Sequence, residues 1–352
     1  MAYYQTQSQR IFNVRDPVFR LATEVEQIKF QLNDLSVDIG LDCNHTGTRG
    51  PFHLPATGSI AIGWQAANAT SETSYGVDNG YQQENAIAIG PQAGKRSQRF
   101  RGIALGLRAG EVNQGYTGES SDDEFNGDAI AIGTQAGETN QNSACIAIGY
   151  QAGQIEQGFD AVPTGPDNDY WSSIAIGYSA GNTSQRGRSV AIGRRAGEIE
   201  QLENSISVGA YAGQTSQLDS CIAIGYNAGN NMQGGSSGNS IAIGSYAGET
   251  SQHGNTIAIG GEAGQSNQGW DGIALGHYAG QNNQGTYAIA IGRGAGTNSQ
   301  ASNSIVLNAN GGVLDAGNNG FFVAPIRGLA VGAGAGRLLY NAGTGEIYYS
   351  TN

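Results

Sequence analysis

Hydrophobic and polar positions along this chain keep a fixed beat. The phrase Ile-Ala-Ile-Gly is followed, after two residues, by Ala-Gly and then, after three more, by Gln. Clean copies include Ser173-Ile174-Ala175-Ile176-Gly177, Ser189-Val190-Ala191-Ile192-Gly193 and Ser240-Ile241-Ala242-Ile243-Gly244. Taken as position 0, the closing Gly falls at 63, 90, 106, 133, 149, 177, 193, 209, 225, 244, 260, 276 and 292, and Asn308 closes a degraded fourteenth copy. The spacing is 16 except for intervals of 27, 27, 28 and 19. A constant period with insertions predicts a repeat architecture, in which each unit buries its apolar face only by stacking on its neighbours.

The phrase alternates large and small residues and is rich in β-branched side chains, which suits a strand. Gly at every repeat would burden a helix. Each 16-residue unit therefore reads as one coil of a parallel β-solenoid, its short strands joined by Gly-supported corners. Positions −3 and −1 are Ile, Val or Leu in every complete copy, while −4 and −2 are small, mostly Ser or Ala. In a strand these two sets point opposite ways. The expected arrangement puts the Ile pair inside the coil and the small set outside. A surface kept small on every coil would then mark close approach of another chain. This makes Ala61, Ala88, Ala131, Ala175, Ala191 and Ala242 candidate subunit-interface residues.

Other columns support stacking. Ala occupies +3 throughout, Gly occupies +4 except at Ala67, and Gln occupies +8 except at Ser71. Stacked Gln amides can hydrogen-bond from coil to coil. Positions +1 and +2 vary widely (Trp64, Tyr150, Arg194, Tyr211, His277, Arg293) and read as solvated.

The periodic array covers 59–308, with an expected length of roughly 60 Å at about 4.8 Å per coil. Before it, residues 1–16 form a polar attachment segment. Residues 17–40 carry apolar positions at Leu21, Val25, Ile28, Leu32, Leu35 and Ile39, spaced by alternating fours and threes. That is a heptad seam, with Pro17 suited to the first helical turn and Gly40 to the stop. A short parallel coiled coil is expected, its seam residues Leu21 to Leu35 joining the interface candidates. Residues 41–58 are a polar connector. Residues 309–352 form a C-terminal β cap with strands in Gly320–Arg327 and a hairpin turning at Ala342-Gly343-Thr344-Gly345.

Composition narrows the function. Charged residues make up only 13% against 57 Gly, and the formal net charge of −12 comes without a basic block. Phosphate binding needs clustered Lys and Arg, so nucleic acid is not an expected partner. No run is long and apolar enough for a membrane-spanning helix. The start Met1-Ala2-Tyr3-Tyr4 lacks a charged segment followed by an apolar one, so no signal peptide is expected. Cys145 and Cys221 share the small −4 column four coils apart, roughly 19 Å at 4.8 Å per coil, too far for a disulfide within the chain. They and Cys43 read as free thiols.

Long insertions at about 72–85, 115–128 and 158–172 are expected between the Gln column and the next Ile strand, hence on one edge. They carry Tyr116, Phe125, Phe159, Tyr170 and Trp171, candidate receptor-binding residues on loops over a rigid scaffold. Equally, these aromatics could pack against neighbouring chains. Asp122-Asp123-Glu124 lacks the Gly-spaced alternation of a Ca²⁺ loop, and Cys43, His45 and His53 lack metal-site spacing. No metal or cofactor is expected. The four His (His45, His53, His253, His277) stand apart from any nucleophile, so an enzyme is not expected. An ice-binding solenoid would need an unbroken Thr array, but Thr139, Thr183, Thr215 and Thr250 at +6 are interrupted by Arg96, Val112, Ile155 and Asn231.

The array resembles the head domain of YadA-type trimeric autotransporter adhesins, most closely at Ser189-Val190-Ala191-Ile192-Gly193. That resemblance implies a left-handed parallel β-roll and a homotrimer. The tail, with Phe321-Phe322-Val323-Ala324-Pro325-Ile326-Arg327 and Thr344-Gly345-Glu346-Ile347-Tyr348-Tyr349-Ser350, resembles C-terminal modules of fibre-like proteins of large DNA viruses and phages. Together these imply an all-β trimeric virion fibre or spike at the particle surface. Its N-terminal segment would join a capsid or tail component, and it would contact a host-surface glycan or protein. The alternatives are a bacterial surface adhesin or appendage subunit, or a purely structural spacer.

Overall fold

The computed structural model describes residues 59–67, 82–115, 127–159, 172–326, 337–341, 343 and 345–350. The heptad segment with Leu21, Val25, Ile28, Leu32 and Leu35 lies outside the described residues, as do the connector and most of the three insertions.

The described array is a parallel solenoid. Each coil has a first strand at −3 to −1, such as Val190–Ile192, and nine described coils add a second at +6 to +8, such as Ile199–Gln201, while Thr183, Asn282 and Asn298 make single bridges at that place. First strands join in one 15-stranded sheet running from Ile60–Ile62 to Gly320–Ala324. Second strands form a four-stranded and a five-stranded sheet, linked through Thr183, which bridges both Ile155 and Ile199. Register is self-matching: Ile174 pairs Val190, Ala175 pairs Ala191 and Ile176 pairs Ile192, and Gln201 pairs Gln217. Every sequence column is therefore a ladder in space.

Two glycine columns make the corners possible, for different reasons. At position 0 the backbone is left-handed (φ +130 at Gly193), and a Cβ there would sit 2.6 Å from the carbonyl oxygen of Gly209 in the next coil. At +4 (φ +51 at Gly197) a Cβ would meet Oε1 of Gln201, in the same coil, at 2.5 Å. The first glycine makes room for the neighbouring backbone and the second for the buried Gln.

The interior reverses the expected faces. Ala88, Ala131, Ala175, Ala191 and Ala242 are fully buried inside their own coils, and Ala61 packs against the same cluster. They line the coil interior rather than its outer face, with Ala61 only partly buried at the first coil. The Ile, Val and Leu of −3 and −1 face outward and are half-buried or exposed. The physical reason is the thinness of the coil. Its interior is filled by Ala at −2, Ala at +3, a small residue at −4 and one long side chain, the Gln at +8, reaching in from the second strand. Two inward Ile per coil would leave that Gln no room.

The buried Gln side chains form a nearly continuous amide ladder. Nε2 of Gln141 donates to Oε1 of Gln157 (3.0 Å), Gln157 to Gln185 (3.2 Å), Gln185 to Gln201 (3.1 Å), Gln201 to Gln217 (3.0 Å) and Gln217 to Gln233 (2.9 Å). Each Nε2 also donates across the coil to the carbonyl at −3, as Gln201 does to Val190 (3.0 Å). The first coil, which has Ser71 at +8, obtains its Gln from Gln82. This residue bonds Ile60 O (3.1 Å) and Gln98 Oε1 (2.9 Å) as the others do. The first insertion therefore precedes the Gln column rather than following it. The steps to Gln114, Gln252 and Gln284 are not closed, and Oε1 of each accepts no hydrogen bond. In all three cases the preceding Gln turns its amide to the carbonyl at −4, that of Gly102 (3.0 Å), Ser240 (3.2 Å) or Gly272 (3.0 Å).

Stacking runs one strand past the expected end at 308. Gly320–Ala324 adds in parallel register, Ile305 on Phe321, Val306 on Phe322 and Leu307 on Val323. Val306 and Phe322 take over the inward Ala column, so larger side chains close the core where the coils end. The expected hairpin is present as Arg337–Asn341 paired antiparallel with Glu346–Ser350.

Removing one amide from the ladder leaves a carbonyl and two neighbouring amides short of partners. Gln201→Met, nearly equal in length, should destabilise the array by about 2–3 kcal/mol. Thr215→Val on the half-exposed second strand should stay within about 0.5 kcal/mol. Urea unfolding of the full chain followed by circular dichroism checks both, and equal midpoints would refute the ladder's role. Burial also pushes the thiols of Cys145 and Cys221 up to about 11 from an ordinary value of 9.0. Because the folded value lies above the unfolded one, the stability they contribute is complete below pH 9 and is lost as pH rises toward 11. The Cys145→Ser/Cys221→Ser variant, which puts in the residue this column carries at Ser173 and Ser189, should lose less stability over that window than the parent in matched thermal melts.

Candidate functional site

With alanine and glutamine inside, what each coil offers to its surroundings falls into four strips. The first is the outer face of the 15-stranded sheet. Position −3 is half-buried, and position −1 is more open, as at Ile192 (37% exposed) and Ile224 (38%). Thirteen coils supply two aliphatic residues each with no charge among them, and Ile305, Leu307, Phe321 and Val323 extend the same columns. A continuous array of this kind differs from the scattered single apolar residues that are normal on a monomer's surface. Self-matching register makes it one continuous surface.

The opposite face, built on the second strands, is polar. Thr139, Thr183, Thr215 and Thr250 occupy +6, with Ile155, Ile199 and Asn231 between them. Position +7 adopts left-handed backbone, as at Asn140, Ser184, Ser216 and Ser251. The Thr column is thus broken and flanked by a second column, of short polar side chains in most coils and Glu156, Glu200 and Met232 in three.

The third strip is the corner after position 0. Sequence alone reads +1 and +2 as independent solvated residues, yet over six consecutive coils they make one rail. Tyr150 stacks on Tyr178 (ring centroids 5.2 Å), and the Arg194 guanidinium lies over Tyr178 (6.0 Å) and Tyr211 (5.3 Å). Tyr211 then meets Tyr226 edge-on (6.0 Å), and Tyr226 meets Tyr246 likewise (5.3 Å). Tyr150, Tyr178 and Tyr226 remain 43%, 46% and 47% exposed. Beside this rail runs the +5 column of amides and carboxylates. Gln214 donates to Glu198 (2.6 Å), Asn230 donates to Gln214 (3.1 Å) and to the carbonyl of Tyr211 (3.0 Å), and Asn182 donates to Gln154 (3.0 Å). Lower on the same edge, Glu111 takes Lys95 (3.5 Å) and Arg108 (2.5 Å), and Arg108 also reaches Glu138 (2.7 Å). The hydrogen bond to Glu111 raises the Arg108 guanidinium above its ordinary value.

The fourth strip is the corner after the Gln column, where the second and third insertions emerge. Of the expected receptor-binding residues, Phe159 is described and half-buried, while Tyr116, Phe125, Tyr170 and Trp171 lie outside the described residues. His253 sits on this edge, its Nδ1 2.9 Å from the Gln268 carbonyl and its ring against Trp270 (5.6 Å). His277 stacks on Tyr278 on the other edge (3.7 Å). Among the described residues no group of three His, Cys, Asp or Glu could hold a metal ion, and no helix is long and apolar enough to cross a membrane.

The rail is the surface that sequence reading missed. Its signal is an aromatic or Arg in every coil from 149 to 244, hidden because the residue shifts between +1 and +2. Compared with known proteins, the chain matches no family model, no curated protein and no solved structure. Its own geometry therefore carries the functional reading.

Proposed function

We propose that this chain is the subunit of a homotrimeric fibre or spike on a virion surface, built for host attachment. The observation that supports this best is the uncharged aliphatic face of the 15-stranded sheet. An uncharged apolar strip running the length of the described solenoid calls for a partner as long as itself. A second and third copy in the same register supply one. The assembly argument first attached to the small −2 residues thus moves to the Ile columns, which the coil leaves outside. The heptad seam from Leu21 to Leu35, whose mixed Ile, Val and Leu do not fix a strand number, would start the chains in register as a parallel bundle. In this reading the N-terminal segment joins a capsid or tail component, and the C-terminal hairpin closes the far end.

The resemblance of the repeat to trimeric adhesin heads, and of the tail to viral fibre modules, supports the assignment. A bacterial surface adhesin or appendage subunit is the second reading, favoured by the adhesin-like repeat taken alone. Antibody labelling of purified particles separates the two. The virion reading requires the label on particles, and label confined to a bacterial cell surface would replace it with the second.

Assembly is tested on the face itself. Ile192→Glu/Ile224→Glu places two carboxylates on exposed positions without charging the coil interior. By sedimentation velocity the parent should run as a trimer and the variant as a monomer with an unchanged circular dichroism spectrum. Thr215→Glu, on the opposite face, should remain trimeric. A monomeric parent, or a trimeric double variant, would overturn the assignment of this face.

A further inference from the structure

The geometry points to the Tyr–Arg rail as a docking track for a neutral, linear, β-1,4-linked glycan lying along the fibre axis. The inference rests on the attachment reading and names its ligand and site. Six consecutive coils place an aromatic ring or guanidinium on one line, with successive centres 5.2–6.0 Å apart. The coil rise of about 4.8 Å is close to the advance of one pyranose in an extended chain. A periodic ligand suits a periodic track better than a globular partner does, because each sugar meets the same pair of columns.

Those columns provide the two kinds of contact that a sugar needs. The rings offer apolar, polarisable surface together with hydroxyl groups. The +5 column offers amide and carboxylate groups already fixed by coil-to-coil bonds, Glu198 to Gln214 to Asn230 and Gln154 to Asn182. Binding would therefore order few side chains that are not ordered already. Charge argues for a neutral chain. Arg194 keeps its charge between Tyr178 and Tyr211, while Glu198 stands in the adjoining column and is paired with Arg195 (3.4 Å), so cation and carboxylate alternate along the track. The second and third insertions leave from the opposite edge, after Gly115 and Phe159.

The test uses the full chain with cellohexaose and chitohexaose as probes, with glucose as the monomer control, followed by titration calorimetry. Tyr178→Ala/Tyr226→Ala removes rings at +1, where Ala210 and Ser245 already stand, so the coil accepts the change. At least one hexasaccharide should bind well below 1 mM and at least about tenfold tighter than the monosaccharide. The double variant should lose about tenfold or more in affinity, and Leu107→Ala, in the same column outside the rail, should bind like the parent. Failure of both hexasaccharides to bind, or undiminished binding by the double variant, overturns the proposal. Sedimentation of the same samples reports assembly independently, so a lost track and a lost trimer are told apart.

Discussion

The fold depends on one buried polar contact repeated coil after coil: a glutamine amide that reaches across its own turn and then up to the next. A primary amide fully out of water is costly unless its donors and acceptor are met. Here the cross-coil carbonyl takes one donor and the next Gln takes the other. The side chain is long enough to span the interior, so only small residues share the space, Ala and Ser in most coils and Gly, Cys or Thr in a few. The Gly at +4 follows from the same side chain, since a Cβ at Gly197 would overlap the amide oxygen of Gln201; the first coil, whose Gln82 enters from beyond an insertion, carries Ala67 there. Amide, alanine and glycine columns are thus three expressions of one constraint.

That constraint also decides what the outside looks like. A solenoid with a broad interior can turn its aliphatic residues inward and show water a polar skin. This one has spent its narrow interior on amides and methyl groups, and the Ile ladders have nowhere to go but out. Its chief apolar surface is external, and the quaternary proposal follows from the same packing argument that explains the core. The polar second-strand face and the tyrosine corner then become the sides that a trimer would leave available.

Much of this was legible in the residues and some was not. The period, the strand assignment, the self-matching columns and the C-terminal hairpin follow directly from spacing and alternation. Alternation says only that Ile176 and Ala175 face opposite ways; it does not say which way is in. The usual presumption that the larger apolar residue is buried failed, because the amide of Gln185, nine residues further on, already fills the interior beside Ala175. The sequence carried a hint in the Gln column, whose invariance made little sense on a solvated face. The tyrosine rail escaped for a different reason: Tyr150 and Tyr211 sit at different offsets in the repeat, and only the shape of the corner brings them into line. Gln82 shows the same limit, since an insertion moved it out of its column in number but not in space.

Self-matching register has one more consequence. Because every coil presents the same groups above and below, excising a whole 16-residue unit would rejoin like to like and leave each ladder continuous. Unequal recombination between copies could therefore lengthen or shorten the rod in increments of one rung, about 4.8 Å, without redesigning any junction. The number of copies in the gene thereby sets the length of the solenoid.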